Sequence, residues 1–302
     1  MKILITGGGG YKGLKLAKIL LENGHEVTLF DNFLYGQDPC LFLFDYPALK
    51  IVCKDIRNIE KSDLVDYDCI YHLAGISGYA PCEANPHSAH LINVEATRKF
   101  VSLLSPSQLL GYASTTSFYG KEGKVCTEDS TIQAVSLYGI SKYEAEKICM
   151  ERENSTAFRF ATIFGVSPRM RWDLMPNEFV MRAVQERSLV LFDPNSVRTF
   201  LHIDDAIKAY LMLLDKTDDM TGQVFNVGCE AMNLSKMQLA QKIKQHVDFE
   251  IIEVTSHDLD SRSFIVNFDQ ISVLGFKASK DLDEGIQELV KLFSFYQPSR
   301  PY

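Results

Sequence analysis

The chain has 302 residues, 46% of them apolar, and a formal net charge of −8. That is enough apolar material for one large core, while the negative balance and the lack of a dense Lys/Arg cluster exclude a nucleic-acid-binding face. Seven cysteines, odd in number and without C-x-x-C spacing, suggest neither a disulfide framework nor a zinc knuckle, and no apolar run reaches the roughly 18 residues of a membrane helix.

The first apolar run, Lys2–Thr6, starts too early to leave room for a signal peptide, so a cytoplasmic protein is expected. It leads directly into Gly7-Gly8-Gly9-Gly10-Tyr11-Lys12-Gly13 and a helix pattern from about Tyr11 to Glu22. Glycines between a strand and a helix allow a tight turn and close approach of backbone to a pyrophosphate, which the helix N-terminus favours. A second run, Glu26–Phe30, ends on Asp31-Asn32, roughly 20 residues beyond the glycines, where a carboxylate can accept from ribose hydroxyls and repel a 2′-phosphate. NAD is therefore expected rather than NADP.

Further short apolar runs follow at Lys50–Cys53, Asp68–Leu73, Leu109–Ala113 and Ala157–Ala161, with helices expected over Ser88–Leu104 and Tyr138–Glu153. Runs without polar alternation, separated by helices, read as an α/β Rossmann-type doubly wound parallel sheet over residues 1–165. Residues 166–302 read as a smaller C-terminal substrate-binding lobe interleaved with that sheet. Its expected helices lie near Asn177–Glu186, Asp204–Leu214, Ser235–His246 and Asp281–Phe293, and its strands near Leu189–Phe192 and Thr199–His202. The tail Gln297–Tyr302 reads as a frayed end.

Tyr138 and Lys142 stand i and i+4 at a helix start and share a face. A phenol titrates at about 10 in water and is a poor base at neutral pH; a neighbouring ammonium favours the phenolate. Such a tyrosine can take a proton from a sugar hydroxyl. The segment Ser114-Thr115-Thr116-Ser117-Phe118-Tyr119-Gly120, at the end of a strand, supplies a hydroxyl to the same site.

With these residues in order, the chain resembles an extended short-chain dehydrogenase/reductase of the nucleotide-sugar epimerase/dehydratase family. The resemblance extends through Asp55-Ile56, Tyr71-His72-Leu73-Ala74-Gly75, Asn85-Pro86, Asn93-Val94, Arg159–Gly165, Arg198–Asp205 and Phe225–Gly228. It implies a catalytic set of Thr115, Tyr138 and Lys142. It implies cofactor contacts from Gly7, Gly10, Tyr11, Gly13, Asp31, Asn32, Asp55, Ile56, Leu73, Ala74, Gly75 and Asn93, with Tyr138 and Lys142. For a nucleotide-diphosphate sugar it implies Ser77, Thr116, Thr162, Arg169, Arg171, Arg198 and Arg262, since guanidinium forks onto phosphate oxygens. A homodimer through the two long helices is also implied, with Ile92, Phe100, Val101 and Leu104 compatible.

Two departures narrow the chemistry. Family dehydratases follow the hydroxyl residue with Asp-Glu; Thr116-Ser117 stand here, which disfavours a 4,6-dehydratase. Thr162 replaces the usual Asn, and the segment Phe164–Met175 resembles the branch with GDP-heptose C4 dehydrogenases and related sugar epimerases. The expected reaction is oxidation at C4 as a 4-epimerase or dehydrogenase. Reduction of a 4-keto sugar and a non-catalytic NAD-binding role are the alternatives. No metal site is expected; His72 and His202 read as packed structural histidines, Asp204-Asp205 as a helix cap, and Phe293, Phe295 and Tyr296 as core or interface.

Overall fold

A computed structural model describes residues 1–120, 125–254 and 262–298. Seven strands form the central sheet: β1 (Lys2–Thr6), β2 (Glu26–Asp31), β3 (Leu49–Cys53), β4 (Cys69–His72), β5 (Leu109–Thr115), β7 (Ser155–Phe160) and β11 (Gln223–Val227). Every pairing in it is parallel, and the order is β11-β7-β5-β4-β1-β2-β3. β4, β5 and β7 are buried at every position, as the unbroken apolar runs require when both sheet faces are covered. The sheet is Rossmann-like.

One face carries α1 (Tyr11–Glu22) and α7 (Ile203–Asp215), which contribute Leu14, Leu20, Tyr210 and Leu213 to the larger apolar cluster. The other carries α4 (Ala96–Leu103) and α5 (Leu137–Met150), whose Phe100, Ala145 and Cys149 pack with Ile70, Leu110 and Ala157. The strand order reverses between β1 and β4, which opens a crevice at their carboxyl ends. There the two following turns touch: a Cβ on Gly7, whose φ is +69°, would lie 2.7 Å from the Ala74 amide nitrogen.

The remaining elements are α2 (Tyr79–Ala84), α3 (Pro86–His90), β6 (Val125–Cys126), β8 (Thr162–Phe164), α6 (Met175–Gln185), β9 (Ser188–Phe192), β10 (Val197–His202), α8 (Thr217–Met220), β12 (Asn233–Ser235), α9 (Lys236–Lys244), β13 (Glu250–Val254), β14 (Ile265–Val266), α10 (Asp269–Val273) and α11 (Leu282–Phe293). β8, β10 and β12 form a three-stranded sheet, and β9–β13 and β6–β14 form pairs. Residue 165 is not a clean division, because β11 and α7 return from the C-terminal half to the central sheet and its helical layer. Phe225–Gly228, expected in the substrate lobe, lies largely in the seventh strand.

Two local expectations are corrected. The helix expected over Ser88–Leu104 is interrupted by a π-helical turn at Leu91–Glu95, between α3 and α4, in which Asn93 is buried. α7 is capped not by Asp204-Asp205 but by His202, whose ring accepts from the Asp204 amide at 3.3 Å. Asp204 instead pairs with Lys15 at 2.6 Å, and buried Asp205 accepts from the Ser279 and Lys280 amides. Phe293 is core, but Phe295 is 75% exposed and Tyr296 stacks on Trp172 at the surface. Most of the Gln297–Tyr302 tail lies outside the described residues. His72 is a packed structural histidine, bonded to Thr6 and Thr97 and stacked on Phe100. Burial lowers its pKa to about 3, so the ring is neutral. Among the described residues no helix is long and apolar enough to cross a membrane.

Candidate active site

The crevice is built from turns that the sequence forces to be tight. Gly10 opens α1 with no side-chain cap, which leaves amides of the first helical turn directed at the crevice for an anion. Gly13 cannot be larger: a Cβ there would lie 2.6 Å from both the Gly7 and Gly8 carbonyl oxygens. Asp31, half-buried at the end of β2, accepts from the Gly9 amide at 3.0 Å and the Phe33 amide at 2.8 Å. Burial pushes its carboxyl above the usual range, and those two amides oppose the shift. Its position beside the glycines suits an acceptor for ribose hydroxyls.

Several expected cofactor residues act through the backbone or on one another. The Tyr11 hydroxyl donates to the Gly165 carbonyl at 2.7 Å, tying the glycine turn to the loop after β8. Asp55 accepts from Arg57 at 2.9 Å and from Asn32 at 3.3 Å, and the Arg57 hydrogen bond holds its carboxyl down to about 2. Ile56 is core. Leu73 and Ala74 donate backbone amides to the Thr6 carbonyl and hydroxyl. Asn93 braces the Gly75–Ser77 loop: its amide bonds both the N–H and the carbonyl of Ile76 and the Ser141 hydroxyl, at 2.8, 2.9 and 3.0 Å. Asn93 thus positions the loop against α5, with each of its amide atoms engaged by protein.

At the sheet's carboxyl edge, Thr115 ends β5 and its Oγ1 accepts from the Ser117 amide, opening a short 3-10 turn. Ser136 caps α5 by accepting from the Gly139 amide at 3.1 Å, which sets Tyr138 in the first turn and Lys142 one turn later on the same face. The exposed Ser77 donates to the Tyr138 hydroxyl at 3.4 Å. Lys142 is buried with its Nζ 4.2 Å from the Tyr112 ring centre. Burial lowers its pKa to about 8. Behind it, Glu146 holds Arg159 at 2.7 Å and accepts from Ser114 at 2.6 Å, fixing α5 to β5 and β7.

The expected substrate arginines divide. Arg198 and Arg262 meet: an Arg198 Nη donates to the Arg262 carbonyl, and Arg262 reaches the Ser117 carbonyl at 3.5 Å, beside the Thr115 turn. Both are buried. Arg169 instead stacks on Tyr35 at 3.9 Å and lies within electrostatic reach of Asp31, which puts it on the ribose side of the crevice. Arg171 bonds Asp173 at 2.7 Å and the Ser77 carbonyl at 3.2 Å, near Tyr138. The Thr116 hydroxyl donates inward to the Phe160 carbonyl at 3.2 Å, and Thr162, half-buried in β8, pairs in register with Phe200. Glu146 and Tyr35 were not anticipated. Only Glu146 left a signal, the continued i, i+4 spacing from Tyr138 and Lys142.

Residues 3–228 match the model of the NAD dependent epimerase/dehydratase family. The chain is 31% identical, over 76% of its length and 77% of the relative's, to a Bacillus subtilis protein described as an uncharacterized UDP-glucose epimerase, YtcB. It is 27% identical to UDP-glucuronate 4-epimerase 4 of Arabidopsis thaliana, over 97% of this chain and 75% of that one. The fold matches that of UDP-glucuronic acid 4-epimerase from Bacillus cereus, solved with UDP-glucuronic acid and NAD, with a TM-score of 0.85. That match covers 97% of this chain and 99% of that one at 22% identity.

Proposed function

The chain belongs to the NAD dependent epimerase/dehydratase family, and from that premise we propose that it is an NAD-dependent UDP-sugar 4-epimerase. The observation that carries this reading is that Tyr138 and Lys142 lie one turn apart on α5, with the buried Lys142 ammonium over Tyr112 of β5, the strand that Thr115 ends.

The glycine turn would hold the pyrophosphate on the first-turn amides of α1, and Asp31 would take the ribose hydroxyls. When bound, NAD supplies the acceptor for the hydride at sugar C4 and its later donor. The protein does the rest. Tyr138 takes the proton of the C4 hydroxyl and gives it back; Lys142 places positive charge beside the oxygen that becomes negative; Thr115 orients the sugar oxygen. Arg198 and Arg262 hold the diphosphate, with the polar Thr116-Ser117 turn between them and Thr115. No carboxylate occupies that turn, so removal of water is not served. The relatives named as UDP-sugar epimerases favour epimerisation over release of a ketone.

Homodimerisation through the Pro86–Leu103 run and α5, and a cytoplasmic setting, belong to the same proposal. Phe100 and Leu104 are already buried within the chain, which leaves the partly buried Ile92 and Val101 as its apolar contribution.

The test is incubation of the purified protein with NAD and UDP-glucose or UDP-glucuronic acid, followed by proton NMR. Formation of the C4-inverted sugar is expected. Unchanged C4 configuration for both sugars would exclude this reading.

A further inference from the structure

The glycine turn contains a half-buried lysine whose side chain turns inward against aromatic rings. Lys12 Nζ donates to the Tyr210 hydroxyl at 3.2 Å and lies 4.6 Å from the centre of the Phe160 ring. Tyr210 and Phe160 are both buried. Among the described residues no carboxylate pairs with Lys12, whereas its helix neighbour Lys15 is paired with Asp204. The charges that act on it are Lys142 and Arg171, both positive, and with burial as the larger cause they bring its ammonium down to about 7.

The location matters as much as the charge. Phe160 ends β7 and pairs in register with Thr115 at the end of adjacent β5, while Lys142 lies over Tyr112 of β5. Two ammonium groups therefore flank the carboxyl edge where Thr115 and Tyr138 stand. A cation without a counter-ion is costly to bury, so this one suits an occupant that gains from positive potential. An oxidised nicotinamide ring is itself cationic and a reduced one is neutral. Positive charge nearby raises the energy of the first relative to the second.

We propose that Lys12 is a tuning residue of the nicotinamide end of the site, favouring the reduced cofactor and so drawing hydride from the sugar. This rests on the reading of the chain as an NAD-dependent enzyme. Lys12 transfers no atom: hydride leaves sugar C4 for the nicotinamide, and the hydroxyl proton goes to Tyr138.

The test measures affinity for NADH by its fluorescence and for NAD by competition, in mildly acidic buffer. The proteins are the unaltered chain, the neutral variants Lys12→Met and Lys12→Gln, the charge-conserving Lys12→Arg, and Tyr210→Phe, which removes the hydrogen bond alone. The preference for NADH over NAD should fall about tenfold or more in the folded neutral variants, and persist in Lys12→Arg and Tyr210→Phe. An unchanged preference in the neutral variants overturns the inference and leaves the enzymatic reading standing. Failure of the unaltered chain to bind either nucleotide overturns both.

Discussion

Glu146 and Arg159 form a buried ion pair across the junction of α5 and β7, 2.7 Å apart with 3% and 7% of their side chains exposed. Arg159 also bonds the Tyr119 hydroxyl and the Glu128 carbonyl, and Glu146 accepts from Ser114. Removing one partner leaves the other buried and uncompensated. Glu146→Ala should therefore lower stability by about 3–5 kcal/mol, read as a shift in the urea midpoint. Glu146→Leu with Arg159→Met should recover much of the loss. A single variant within about 1 kcal/mol of the parent would contradict a structural role for the pair.

Residues whose structural setting is local were legible in the sequence. Glycines 7–13, Asp31, Thr115, Tyr138 and Lys142 each need a set chain position relative to a strand or helix end, and short-range spacing reports that. Glu146 with Arg159, Asn93 with Ile76, and Arg169 with Tyr35 are pairings made by topology, invisible until β7, the π turn at Leu91–Glu95 and the loop after β8 are placed. The seventh strand was missed for a similar reason. Its Gln223–Val227 run follows helices of the C-terminal half, so only the parallel pairing with β7 assigns it to the main sheet.

Under the proposed mechanism, Lys142 trades stability for function. Its pKa falls from 10.5 to about 8 through burial. Below about 8 both folded and unfolded chains are protonated and the full burial penalty is present. Between the two values the unfolded chain binds more protons, so this contribution makes stability rise with pH there. Lys142→Met should accordingly stabilise the cofactor-free protein at neutral pH by up to about 3 kcal/mol, while epimerase activity falls by orders of magnitude. Thermal denaturation and a turnover assay check the two halves; a destabilised Lys142→Met protein would refute the burial argument.

Tyr138→Phe removes the proposed proton acceptor and leaves the helix face intact. A general-base contribution of about 10²–10⁴ should vanish from kcat, with NAD binding retained in a direct titration. If turnover survives at more than about a tenth of the parent rate, proton transfer must be assigned elsewhere.

In the proposed reading, Asp31 is the residue on which the choice of cofactor turns. Its carboxylate already accepts from Gly9 and Phe33, and Arg169 lies within electrostatic reach. Asp31→Ser removes the charge that repels a 2′-phosphate and leaves the Arg169 guanidinium on the same side of the crevice to attract it. NAD affinity should drop and NADP affinity rise, moving their ratio by about tenfold or more. Addition of Arg169→Met to Asp31→Ser should cancel the gain for NADP but leave the loss for NAD. That pattern separates the two residues: ribose hydroxyls depend on the carboxylate alone, whereas a 2′-phosphate depends on both the absence of Asp31 and the presence of Arg169.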